Sequence, residues 1–164
     1  MKLAYVSQRG HGQTGTCLTE AAEILTALGI GLQGTVTVPD PCIDPTCDML
    51  IRVLPDGPVM RINQNLGAGS KGCRLDTGAL EGVVMEVARH GLGARVMIVN
   101  KFGKLEAMGR GFVPLIAEAL GAGTPVIIGV NAVNLADLLS FAGDLAQELP
   151  PDPQLIADWA LGCA

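Results

Sequence analysis

Residues Tyr5 to Cys17 read YVSQRGHGQTGTC. Gly10 and Gly15 stand with four residues between them, Gly12 among these, in the stretch that joins a short apolar run to a helical pattern. That is the spacing of a loop whose backbone N–H groups wrap a phosphate, with the helix behind it adding its positive end. Such a loop continues with a lysine and then a serine or threonine, but here the next two residues are Thr16 and Cys17. No lysine from this stretch reaches a terminal phosphate, and the hydroxyl that would hold magnesium is displaced to Thr16 or Thr14. The plainer alternative is that the glycines only make a tight strand-to-helix turn.

Thiols are the second set of reactive groups. Cys42 and Cys47 flank IDPT, Asp48 follows Cys47, and Cys73 follows a glycine-rich loop. With Cys17 and His11 of the opening loop, these groups converge if the central segment folds over the strand ends. Thiolate and imidazole suit zinc, copper(I) or a thiophilic oxometal centre. The spacing lacks the paired Cys-x-x-Cys of a structural zinc site, and free cysteines often serve as small buried apolar residues.

Composition sets the frame for both. The 164 residues are 49% hydrophobic and only 16% charged, with a mean hydropathy of +0.40, which predicts one well-buried domain over 1–164. A formal charge of −5 and a pI near 4.9, without any Lys/Arg run, exclude nucleic acid as a partner. The apolar run after Lys2 is too brief for a signal-peptide core, and no segment reaches membrane-spanning length without Gly, Pro or charge. Five cysteines, an odd number, argue against a disulfide framework. A cytoplasmic, reduced protein is predicted.

The elements that must position these groups follow from periodicity. A strand over Lys2–Ser7 leads into a helix over Gly15–Gly29, capped by Thr14 or Thr16, with Leu18, Ala21, Ala22, Leu25 and Leu28 on one face. Ile30–Asp40 reads as the next strand. A hairpin-rich insertion over about 40–75 follows, with two strands around Pro55-Asp56-Gly57-Pro58. A helix from Thr77 to His90, capped by Asp76, precedes a buried strand Ala94–Asn100 and a helix Gly109–Gly123. Then come a strand Pro125–Val130, a helix Asn134–Leu149, and a short C-terminal helix that carries Trp159. Continuous Val/Ile runs point to a parallel sheet covered on both faces. Ligands of such sheets sit beyond the carboxyl ends of the strands. The segments Gln8–Thr16 and Asn100–Arg110 therefore form the expected site, with Asn131–Asn134 as a third wall.

VMIVNKFGKLEAMGRGF resembles the segment of small P-loop nucleoside-triphosphatases in which a buried strand ends in Asp-Glu and a Gly-Lys-x-Glu turn leads to a helix. Val96–Val99 match the strand, Gly103, Lys104 and Glu106 the turn, and Phe112 the aromatic of the helix. CDMLIRVLPDGP, GCRLD and NKFGKLEAMGRGF are similar to a bacterial family, domain of unknown function 2478, whose members are sometimes labelled as molybdate-uptake associated. The resemblance covers nearly the whole length. It implies an α/β fold, a P-loop-NTPase-like three-layer sandwich with a mostly parallel sheet, helices on both faces and a β-hairpin insertion.

The departures from that pattern shape the functional reading. Where the triphosphatases carry two acids, this chain has Asn100 and Lys101. A magnesium-nucleotide site needs a carboxylate to steer the metal, so the exchange favours a bare anion. A lysine about 4 Å from a dianion is worth on the order of 4 kcal/mol per unit charge at an effective dielectric near 20, before desolvation. Lys101 then stands in for the missing lysine from the neighbouring strand tip, Arg9, His11 and Lys104 add charge, and the N–H groups of Gly12–Thr16 add oriented donors. The expected binding set is Arg9, Gly10, His11, Gly12, Gln13, Thr14, Gly15, Thr16, Asn100, Lys101 and Lys104. Phosphate, a nucleotide or molybdate fits it, magnesium is not expected to be essential, and no catalytic residue is assigned. The reading is a cytoplasmic binding protein for a small oxyanion or nucleotide phosphate, in molybdenum handling, with little or no hydrolysis. The alternatives are a nucleoside-triphosphatase in which Lys101 replaces the usual lysine, and a metal-binding protein using Cys42, Cys47 and Cys73. A further alternative is an interaction scaffold that pairs with a second copy through Met49, Ile51 and Val53.

Overall fold

A computed structural model of the chain describes residues 2–7, 13–39, 49–64 and 75–164. Its strands are β1 (Leu3–Ser7), β2 (Leu32–Thr37), β3 (Leu50–Leu54), β4 (Val59–Arg61), β5 (Val96–Phe102), β6 (Val126–Val130) and β7 (Ala146–Leu149). Its helices are α1 (Gln13–Ala27), α2 (Thr77–His90), α3 (Lys104–Ala107), α4 (Val113–Gly121), α5 (Leu135–Ala142) and α6 (Pro153–Cys163). The strands form one sheet in the order β4-β3-β2-β5-β6-β1-β7. Pairs from β2 to β7 are parallel, and the β3-β4 hairpin extends the sheet antiparallel beyond β2.

Alternation along the strands builds two cores. Val96 and Ile98 of β5, with Ala4, Val6 and Ile127, pack against Leu18, Ala21, Ala22 and Leu25 of α1 and Ile156, Ala157 and Ala160 of α6. Met97, Val99 and Phe102, with Leu3, Tyr5, Val126 and Ile128, pack on the other face with Leu80, Val83 and Val87 of α2 and Ile116 of α4. Period-2 strands buried on both faces are what a helix–sheet–helix sandwich requires.

Several expected boundaries move. α1 begins at Gln13, so Thr14 and Thr16 lie inside it and neither caps it. Leu28 falls past its end and is exposed, while Gly29, with φ 73°, closes the helix as expected. β5 continues through Asn100 and Lys101 to Phe102. The helix expected over Gly109–Gly123 is shortened to α4, because Gly109 (φ 74°) and Gly111 (φ 58°) turn the chain before it, and the stretch expected as a turn forms the short α3. The helix expected over Asn134–Leu149 stops at Ala142, where Gly143 takes φ 55°, ψ −141°, and Ala146–Leu149 instead pairs with β1 as an edge strand. Ile51 and Val53 are fully buried under α2, so they form no exposed surface for a second copy. Trp159 packs against the α1/α6 core and donates from Nε1 to Gln147 Oε1 at 3.2 Å.

Candidate functional site

α1 starts at the carboxyl side of the sheet and is pinned there by β2. Gly15 is buried, and a Cβ on it would lie 2.6 Å from Thr37 Oγ1 at the end of β2. The Thr19 hydroxyl lies 2.9 Å from the Gly15 carbonyl and 3.0 Å from the Thr37 carbonyl, and its one proton serves both. The Thr37 hydroxyl itself is buried with no partner among the described residues. The N–H groups of Gln13, Thr14 and Gly15 belong to the first turn, which no helix satisfies internally and which carries its positive end.

β5 brings the second group. Val99 pairs with Ile128 and Phe102 with Val130, so Asn100 and Lys101 together oppose the single residue Gly129 of β6. This is a β-bulge, which bends a strand and re-aims its side chains. Its sequence cost falls on Gly129, where a Cβ would collide with the Asn100 carbonyl oxygen and with Leu18 of α1. Asn100 is 7% exposed, and its Oδ1 accepts from Thr35 Oγ1 at 2.8 Å. Lys101 is exposed, and Phe102 returns to the core.

The turn after β5 is held from inside. Glu106, 3% exposed, accepts from the Gly103 N–H at 3.0 Å and from the Phe112 N–H at 3.2 Å. It spans the start of α3 and the start of α4 with one carboxylate. Gly111 is required beside it, since a Cβ there would strike Glu106 Oε1. Lys104, the first residue of α3, is exposed. In the turn after β6, Asn131 Oδ1 accepts from the backbone N–H and from Nδ2 of Asn134, each at 3.0 Å.

Of the expected binding residues, Gln13, Thr14, Gly15 and Thr16 lie on the first turns of α1, and Asn100, Lys101 and Lys104 at the end of β5 and just after it. Arg9, Gly10, His11 and Gly12 lie outside the described residues. One expectation changes. β6 stands between β1 and β5, so Lys101 does not come from the strand next to β1. Two strand spacings, about 10 Å, separate those axes, and the Asn131 turn of β6 sits between them. Thr35, Thr37 and Gly129 were not singled out by sequence. The alternation of Thr35 and Thr37 carried the only signal, and it reads equally well as ordinary strand.

The expected thiol site divides. Cys42, Cys47 and Cys73 lie outside the described residues, and among those described no group of three or more His, Cys, Asp or Glu side chains is placed to hold a metal. Cys17 is not a loop residue facing a ligand but a buried residue of α1. Burial first, and then the charges of Glu20 and Asp152, push its thiol up to about 11. His90 serves α2, its Nδ1 2.9 Å from the Glu86 carbonyl. Tyr5 faces its cross-strand partner Glu148 of β7. Burial, with that charge and hydrogen bond, raises its phenol.

A mostly parallel sheet with α1 and α6 on one face, the remaining helices on the other, and a helix opening at the strand ends defines the P-loop-NTPase-like class of α/β fold. THEP1 from the hyperthermophile Aquifex aeolicus shares it, with a TM-score of 0.61 and 17% identity over 94% of this chain and 91% of that one. A human cancer-related nucleoside triphosphatase also shares it, with a TM-score of 0.59 and 18% identity over 99% and 97%. The chain belongs to the DUF2478 family, described as a protein of unknown function, which matches residues 3–159. Over 104 residues it is 34% identical to the molybdenum import ATP-binding protein ModC 2 of Bradyrhizobium diazoefficiens. That match covers 63% of this chain but 12% of the relative. No helix among the described residues is long and apolar enough to cross a membrane.

Proposed function

We propose that this chain binds a small oxyanion or the phosphates of a nucleotide at the strand ends beside α1, in molybdenum handling, with little or no hydrolysis. The observation that carries the reading is Asn100. It is buried on a bulge where the resemblance places an acid, and its only acceptor atom is engaged by Thr35. A neutral amide whose oxygen already accepts from Thr35 is a poorer partner for a magnesium ion than the carboxylate the resemblance places there. Lys101 beside it adds positive charge, and the first turn of α1 adds oriented N–H donors. The named role of the ModC 2 relative supports molybdenum and ATP as the ligands to try first.

A thermal-shift panel of ATP, GTP, phosphate, sulfate, molybdate and tungstate, with and without magnesium, tests the proposal. Ligand present at 100 times its Kd raises stability by about 2.7 kcal/mol, a readily measured rise in Tm. The expected result is a rise with at least one of these anions that needs no magnesium and shrinks in Lys101→Ala. Stabilisation only by magnesium-nucleotide, unaffected by Lys101→Ala, would contradict it and favour a true triphosphatase.

A further inference from the structure

β7 ends the sheet, paired with β1 on one side and with no described strand on the other. We propose that this open edge takes an extended segment of a partner protein, basic and apolar in alternation, as one more strand. The backbone N–H and C=O groups along such an edge are unpaired and add a strand readily. Successive side chains of β7 point to opposite faces, and their surroundings differ. Gln147 stands opposite Ala4 of the α1/α6 core, and Trp159 of α6 donates to it at 3.2 Å. Leu155, one turn before Trp159 on α6, and Leu145, just ahead of β7, are both exposed. Glu148 stands opposite Tyr5 and is exposed on the other face. An added strand therefore meets apolar surface beside Trp159 and a carboxylate at Glu148.

Charge narrows the choice of occupant. Residues 135–164 hold Asp137, Asp144, Glu148, Asp152 and Asp158 and no Lys, Arg or His. Of the 16 acidic residues in the chain, the other 11 balance the 11 Lys and Arg, so the formal charge of −5 resides in the segment that contains β7. Two copies joined at this edge would set Glu148 and its neighbours against their own kind, which disfavours self-pairing. A strand with Lys or Arg on the Glu148 face meets complementary charge at the same place.

The experiment uses three end-blocked synthetic hexapeptides: alternating Val-Lys, alternating Val-Glu, and the Val-Lys composition arranged in two blocks. Each is titrated into the purified chain while the fluorescence of Trp159 is followed, since it is the only tryptophan and its indole is hydrogen-bonded to Gln147 of β7. Hydrogen exchange by mass spectrometry then locates the protection. The alternating Val-Lys peptide is expected to bind about tenfold or more tightly than either control, to slow exchange at Ala146–Leu149, and to weaken in high salt. Glu148→Lys, at an exposed position, should turn the preference toward Val-Glu. Asp144→Lys, in the turn before the strand, should reduce the Val-Lys preference even if Glu148→Lys does not fold. Equal binding of the two alternating peptides, no binding by any of the three, or protection away from β7 would overturn the proposal. So would a preference unchanged in a folded Glu148→Lys. If sedimentation finds the free chain already paired through a protected β7, a second copy holds the edge and the proposal fails.

Discussion

Gly15 carries no side chain because Thr37 occupies the space. Its Cβ would sit 2.6 Å from Thr37 Oγ1 and 3.1 Å from Thr37 Cβ, so Gly15→Ala must turn the Thr37 side chain or shift α1 against β2. A loss of about 1–3 kcal/mol is expected in chemical denaturation, the usual cost of overpacking. Thr37→Ala should be close to neutral, since the lost hydroxyl has no partner among the described residues. The double variant should then recover most of the loss, as coupled neighbours do. Cys17 gives a pH prediction. Its folded-state thiol is raised to about 11, so above the ordinary thiol value of about 8.5 the unfolded chain releases a proton that the folded chain keeps. Stability therefore falls as the pH climbs from there toward 11, and Cys17→Ala should flatten that part of the curve. Mass-spectrometric mapping after iodoacetamide at pH 8 should find Cys17 unlabelled in the folded chain and labelled after denaturation.

At the scale of elements, the connection from β5 to α4 hangs on one buried carboxylate. Glu106→Ala leaves the Gly103 and Phe112 N–H groups without their acceptor, and a loss of about 2–4 kcal/mol is expected. Glu106→Gln keeps one acceptor oxygen and should cost less. Urea melts of the two variants check the order. Periodicity made most of these elements legible: β1, α2, β6 and the β3-β4 hairpin stand where the residue pattern placed them. β7 was hidden because AQEL has no β-branched residue, buries only its last leucine, and continues the leucine spacing of α5. A turn over Gly143–Leu145 that opens on the positive φ of Gly143 separates them, and a glycine within a helical pattern does not announce its conformation. The extension of β5 through Asn100 and Lys101 was equally hidden, because a bulge depends on the partner strand. Strand order, which puts β6 between β1 and β5, leaves no mark in local sequence at all.

For the whole molecule, the formal charge of −5 works against an anionic ligand at long range. On the proposed reading, recognition comes from a few donors at the strand ends, with little electrostatic steering of encounter. The fold shared with THEP1 and the human nucleoside triphosphatase supplies a helix aimed at that place, and on this account the residues at the end of β5 set it to hold an anion without a metal. The direct test is phosphate release from ATP and GTP by the purified chain, with magnesium and with chelator. The account predicts no release above the protein-free rate in either condition. Magnesium-dependent turnover that disappears in Thr16→Ala would contradict it.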